Sequence, residues 1–93
     1  MNNKTPSKDL IKAILQIETE EECIAFLNDI CTIQELEKLD QRLQAAMLLL
    51  DNQTYEKVIE KTKISSTTLS RVSRCIRYGD GGYKKIIEKM DKK

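Results

Sequence analysis

Apolar residues recur at intervals of three and four along most of this chain, and no strand-like alternation competes with them, so the pattern predicts an all-α protein. Ser7, after Pro6, is placed to cap a first helix carrying Leu10, Ile11, Ile14 and Leu15. Thr19-Glu20-Glu21-Glu22 has the form of a capping box, with the threonine accepting from the third amide and Glu22 reaching back. Ile24, Leu27 and Ile30 follow as an inner stripe, with Phe26 beside them. Thr32-Ile33-Gln34-Glu35 repeats the box and opens the longest helix, where Ile33, Leu36, Leu39, Leu43, Met47 and Leu50 step by three or four. Asp51-Asn52-Gln53 breaks that helix. Thr54 is then expected to cap Tyr55 to Thr62, Ser65 or Ser66 to cap a stretch reaching Tyr78, and Gly79 to act as a left-handed stop. After Asp80-Gly81-Gly82 a sixth helix is expected, with Tyr83, Ile86, Ile87 and Met90 on one face.

The run Ala45–Leu50 is apolar on every side, and a helix apolar all round is buried all round. Ninety-three residues make one domain, 1–93, with a small core. A second copy of the chain supplies that burial more readily than the remaining helices do, so packing alone leads to the expectation of a homodimer. Six apolar residues fall far short of the roughly 18–20 of a membrane span. The opening residues carry no apolar segment after Lys4, which argues against a secretory signal; a cytoplasmic protein with no membrane partner is expected. Cys23, Cys31 and Cys75 lack C-x-x-C spacing, and with no histidine a zinc site would need carboxylates to complete it. They read as small apolar side chains in a reducing compartment, and no metal site is expected. The missing histidine also removes the commonest general base and the Ser-His and Cys-His pairs. With no nucleophile or phosphate-loop signature either, no enzyme and no catalytic residue is expected.

Charge then divides the chain. Residues 1–53 carry five basic and ten acidic groups, whereas residues 54–93 carry eleven basic and five acidic, the latter ending in Lys89, Lys92 and Lys93. Such polarity suggests that the second part meets an anionic partner. Two short helices about 54–78, the second basic, have the pattern of a helix-turn-helix, with Val58, Ile64, Leu69 and Val72 placed to brace them. The opposite face of the second helix offers Ser66, Thr67, Ser70, Ser73 and Arg74, short hydroxyls and an arginine suited to phosphates and base edges. Arg74 and Thr67 are candidates for base contacts; Lys57, Lys63, Ser70 and Arg77 are candidates for phosphates. Glu56 and Glu60 work against the lysines of the first helix, and the turn holds Lys63 where glycine is often found. Spacing and charge alone leave two readings, a DNA-binding module and a helical protein-interaction module of the same fold.

Three segments carry a resemblance: Thr32–Glu35 leading to Leu39-Asp40-Gln41-Arg42, the helix pair from Thr54, and the run Thr67–Gly79. The sequence resembles the tryptophan-repressor superfamily, and within it the tryptophan-repressor-like proteins of the YerC/YecD type. The resemblance implies an all-helical chain of six helices in an intertwined homodimer. It further implies a DNA-binding transcriptional regulator, a repressor of amino-acid metabolism genes, acting on a double-stranded operator. In that family two arginines clamp an amino-acid corepressor; Arg42 and Arg71 match them, and Thr32 matches a pocket threonine. Asp29 and Cys31 fall where backbone carbonyls meet the ligand amine. Two positions depart from the family pattern: Val72 stands where glycine makes room for the indole, and Cys75 where a serine lines the amino-group end. The added methyl groups exclude a bulky ring, since overpacking costs typically 1–3 kcal/mol, so the resemblance implies an effector other than tryptophan, or none.

Overall fold

The computed structural model describes residues 5–91; Met1–Lys4 and the tail lysines Lys92 and Lys93 lie outside the described residues. Six helices and no strand are found among them: α1 Lys8–Leu15, α2 Glu20–Ile30, α3 Ile33–Leu50, α4 Tyr55–Thr62, α5 Ser66–Tyr78 and α6 Gly82–Asp91. The chain divides into two compact units, one through Leu36 and one from Glu37.

In the first unit the helix starts follow the side chains foreseen. Ser7 Oγ accepts from the Leu10 amide at 3.1 Å and Thr19 Oγ1 from the Glu22 amide at 3.1 Å. Glu22 reaches one residue further back than a standard box requires, accepting from the Glu18 amide at 2.9 Å. The box at α3 closes both ways, Glu35 N–H to Thr32 Oγ1 at 3.1 Å and Thr32 N–H to Glu35 Oε1 at 2.8 Å. Neither α1 nor α2 buries a residue. The expected inner stripe of α2 is corrected: Ile24 and Ile30 are exposed, while Cys23, Phe26 and Leu27 are half-buried.

The second unit holds the core, built from Ala45, Ala46, Val58, Ile64, Leu69, Val72 and Ile87. The buried face of α3 is therefore the alanine pair and not the expected leucine stripe, of which Leu39 is exposed and Leu43, Met47 and Leu50 half-buried. The larger Leu43, Met47, Leu48, Leu49 and Leu50 of the same helix pack against that core while staying half-buried. On α6 only Ile87 is buried and Tyr83 half-buried; Ile86 and Met90, expected on the same face, are exposed.

Helix ends in this unit use left-handed residues other than glycine. Asn52 (φ 63°) stops α3, with Gln53 N–H donating to Leu48 O and Asn52 N–H to Leu49 O, each at 3.0 Å, the Schellman pattern. Gly79 follows α5 but is extended (φ −85°, ψ −158°), not left-handed as expected. Its glycine is required by crowding: a Cβ there would run into the carbonyl of Cys75, whose oxygen accepts the Gly79 N–H at 2.9 Å. The left-handed glycine is Gly81 (φ 82°), just before α6.

Candidate nucleic-acid interface

The helix-turn-helix begins with two hydroxyl caps. Thr54 Oγ1 accepts from the Lys57 amide at 3.2 Å, and Ser65 Oγ from the Thr68 amide at 3.1 Å. Between the helices Lys63 is left-handed (φ 62°, ψ 18°), its N–H donating to Ile59 O at 2.8 Å. The turn thus takes the conformation that favours glycine while carrying a lysine. Its neighbours hold it there. Thr62 Oγ1 donates to Val58 O at 2.7 Å and accepts from the Ile64 amide at 3.2 Å. Gln41 of α3 donates through Nε2 to Thr62 O at 3.0 Å, tying the turn to the longest helix. Val58, Ile64, Leu69 and Val72 are all buried, the bracing expected of them.

On this frame Lys57, Lys63, Ser66, Thr67, Ser70, Arg74 and Arg77 are all exposed. At roughly 100° per residue, the five on α5 fall within an arc of about 100°, so one helix face gathers them. Ser73 leaves that face; it is only 8% exposed and belongs to the buried side. Glu56 and Glu60 are exposed on α4 beside Lys57, which keeps that helix electrostatically mixed.

The other candidate residues distribute differently. Arg42 and Cys75 are half-buried and Arg71 exposed. The three converge electrostatically on Tyr83 of α6, a residue that sequence reasoning placed only on an apolar stripe. Burial pushes the Tyr83 phenol above its ordinary range, the Cys75 thiol adds to that, and the guanidinium groups of Arg42 and Arg71 oppose it. Thr32 lies in the other unit, where its hydroxyl and amide are both engaged in capping α3. Asp29 is exposed near the end of α2, and Cys31 is half-buried. The cysteines are free thiols.

The sequence matches the Trp repressor protein family over residues 7–91. The chain belongs to the Trp repressor family. Its members are DNA-binding regulatory proteins and not enzymes. It is similar to the uncharacterized protein YerC of Bacillus subtilis (strain 168), 40% identical over 81 residues that span 87% of this chain and 78% of YerC. Among solved structures it is similar to a TrpR-like protein from Eubacterium eligens ATCC 27750, with a TM-score of 0.86, 38% identity, and 90% and 87% of the two chains covered. A candidate Trp repressor from Staphylococcus aureus matches with a TM-score of 0.86, 37% identity, and 89% and 83% covered. These likenesses extend over both units of the Trp repressor-family chain. No helix among the described residues is long and apolar enough to cross a membrane.

Proposed function

We propose that this Trp repressor-family protein is a homodimeric, sequence-specific DNA-binding transcriptional regulator of the cytoplasm, acting as a repressor of amino-acid metabolism genes. The observation that carries the reading is the exposed arc of Ser66, Thr67, Ser70, Arg74 and Arg77 on a helix braced by buried Val58, Ile64, Leu69 and Val72. Arg74 and Thr67 contact bases or lie beside them, Ser70 and Arg77 hold phosphates from the same helix, and Lys57 and Lys63 do so from α4 and the turn. Two such helices, one per protomer, enter successive major grooves of a pseudo-palindromic operator about one helical turn apart. An amino-acid corepressor other than tryptophan binds between Arg42 and Arg71, with Cys75 beside them; buried Val72 supports the exclusion of an indole.

Selection of bound genomic fragments followed by titration tests this reading. Arg74→Ala is expected to weaken binding to the selected fragment by about 1–3 kcal/mol and to relax its sequence preference, leaving the fold intact. Parent affinity should fall steeply with salt, because phosphate contacts release counterions. No retained fragment at low salt would favour the protein-interaction module, to which exposed Glu56 and Glu60 are better suited.

A further inference from the structure

Between α3, the turn after α4 and the first turn of α5 lies a cleft of about 420 Å³ lined by Lys38, Gln41, Arg42, Lys63, Ser65 and Thr68. That volume is within the roughly 300–1,000 Å³ of small-molecule sites. Three of the lining side chains are cations and none is a carboxylate. Among the described residues none of the three cations is held in an ion pair. The cleft on the other side of Gln41 differs: it sets Glu37 and Asp40 against a single lysine, Lys61.

Like charges converge here on short lengths of backbone. Lys38 and Arg42 stand one turn apart on α3, so both project from one face. Lys63 joins them from a left-handed position that glycine would occupy with less strain. The hydroxyls add a donor. Ser65 Oγ–H donates to Thr68 Oγ1 at 2.9 Å, which leaves the Thr68 hydroxyl proton to point elsewhere.

The geometry points to this cleft as a binding site for a small phosphorylated molecule, and to that ligand as one that weakens DNA binding. Two lysines, an arginine and the uncommitted proton of the Thr68 hydroxyl match a phosphate dianion. A zwitterionic amino acid finds no carboxylate for its ammonium group, so the cleft suits a different ligand class from the corepressor proposed above, with which it shares Arg42. A phosphate of the DNA backbone has the same chemistry, but Thr68 lies on the wrong side of α5 for it. At roughly 100° per residue it is about 150° from the middle of the exposed arc, so the cleft opens away from the proposed reading face.

Lys63 belongs to both sites. A dianion in the cleft engages it and withdraws its charge from the duplex, so the ligand lowers DNA affinity, and DNA lowers ligand affinity by the same factor. This regulatory sign rests on the DNA-binding reading; the site itself does not.

Pyrophosphate serves as the probe. Calorimetric titration of the whole chain, free of DNA and at fixed ionic strength, is expected to give saturable binding at one site per chain. Lys38→Gln and Thr68→Val should each weaken it, the lysine change by about tenfold or more, while Lys89→Gln, a charge removed far along α6, leaves it unchanged. Circular dichroism melting checks that each variant is folded. Binding that chloride abolishes at equal ionic strength, or that Lys38→Gln and Lys89→Gln weaken equally, overturns the site.

Fluorescence anisotropy with a selected DNA fragment is the second arm. Pyrophosphate should lower the parent's DNA affinity and leave that of Lys38→Gln unchanged, and without pyrophosphate the two proteins should bind DNA alike. Pyrophosphate bound but no DNA bound sinks the DNA-binding reading and leaves the site standing. DNA bound but no pyrophosphate bound sinks the site alone. If pyrophosphate does not bind and Lys38→Gln loses DNA affinity, the cleft takes a backbone phosphate and the small-ligand proposal is wrong.

Discussion

At Tyr83 a phenol sits where burial disfavours its charged form, the Cys75 thiol does so further, and Arg42 and Arg71 only partly offset them. Its folded pKa is raised, so above about pH 10 the folded chain keeps a proton that the unfolded chain has released. The unfolded state then binds fewer protons, and stability falls as pH rises from the ordinary tyrosine value through the folded one. Urea unfolding across this alkaline window should therefore show a declining midpoint for the parent. Tyr83→Phe keeps the ring and removes the ionisation, so it should reduce that decline; an identical decline in the variant would place the cause elsewhere. At neutral pH the same change should alter stability by about 1 kcal/mol or less, the usual net worth of one hydroxyl's hydrogen bonding. None of this was legible in spacing. Tyr83 reads along the chain as one more apolar position of a final helix, and its neighbours Arg42 and Arg71 are 41 and 12 residues away.

For the turn between α4 and α5 the sequence held both the motif and its irregularity. The caps Thr54 and Ser65 and the four bracing apolar residues follow from local chemistry, and they are found as expected. Lys63 departs from the usual glycine, and the structure keeps the left-handed turn regardless. A non-glycine residue there costs roughly 1–2 kcal/mol, of which glycine's own backbone entropy returns about half. Lys63→Gly is thus expected to raise stability by about 0.5–1 kcal/mol in denaturant melts. On the proposed interface it should also weaken DNA binding and reduce the slope of log affinity against log salt by about 0.9, the signature of one lost phosphate contact. A stabilised variant with an unaltered slope would remove Lys63 from the interface. The end of α5 shows the opposite case. Gly79 invites the inference of a left-handed stop, but its backbone is extended and its small size serves a close approach to the Cys75 carbonyl. Composition alone does not separate those two uses of glycine.

Across the whole molecule, the amount of apolar surface left uncovered bears on assembly. Leu15 is 73% exposed and Ile33 74%, with Ile14, Ile24, Ile30 and Leu39 also exposed. Single exposed leucines are ordinary, but so many at helical spacing, beside seven buried hydrophobics among the described residues, suit a partner surface. Analytical ultracentrifugation is expected to find a species of twice the 10.7 kDa chain mass, with a melting temperature that rises with concentration. Leu15→Glu should shift the dissociation midpoint upward by tenfold or more, since a carboxylate buried without a partner costs on the order of 1–3 kcal/mol or more. A parent that sediments at the single-chain mass throughout would remove the dimer and, with it, the spacing of two reading helices on an operator.

Local chemistry along the sequence determined the six helices, their hydroxyl caps and the apolar brace of the helix-turn-helix, because each depends on residues within a turn or two of one another. The exposed polar arc of α5 was legible for the same reason, apart from Ser73, which helical phase alone left near its margin. Tertiary structure decided the rest. It buried Ala45 and Ala46 more fully than the leucines of α3, and drew Tyr83 toward Cys75, Arg42 and Arg71. It also assembled Lys38, Arg42 and Lys63 around one cleft. Those arrangements join residues from different helices, and their positions follow from how side-chain volumes and charges settle when the helices pack, which no periodicity in the chain records.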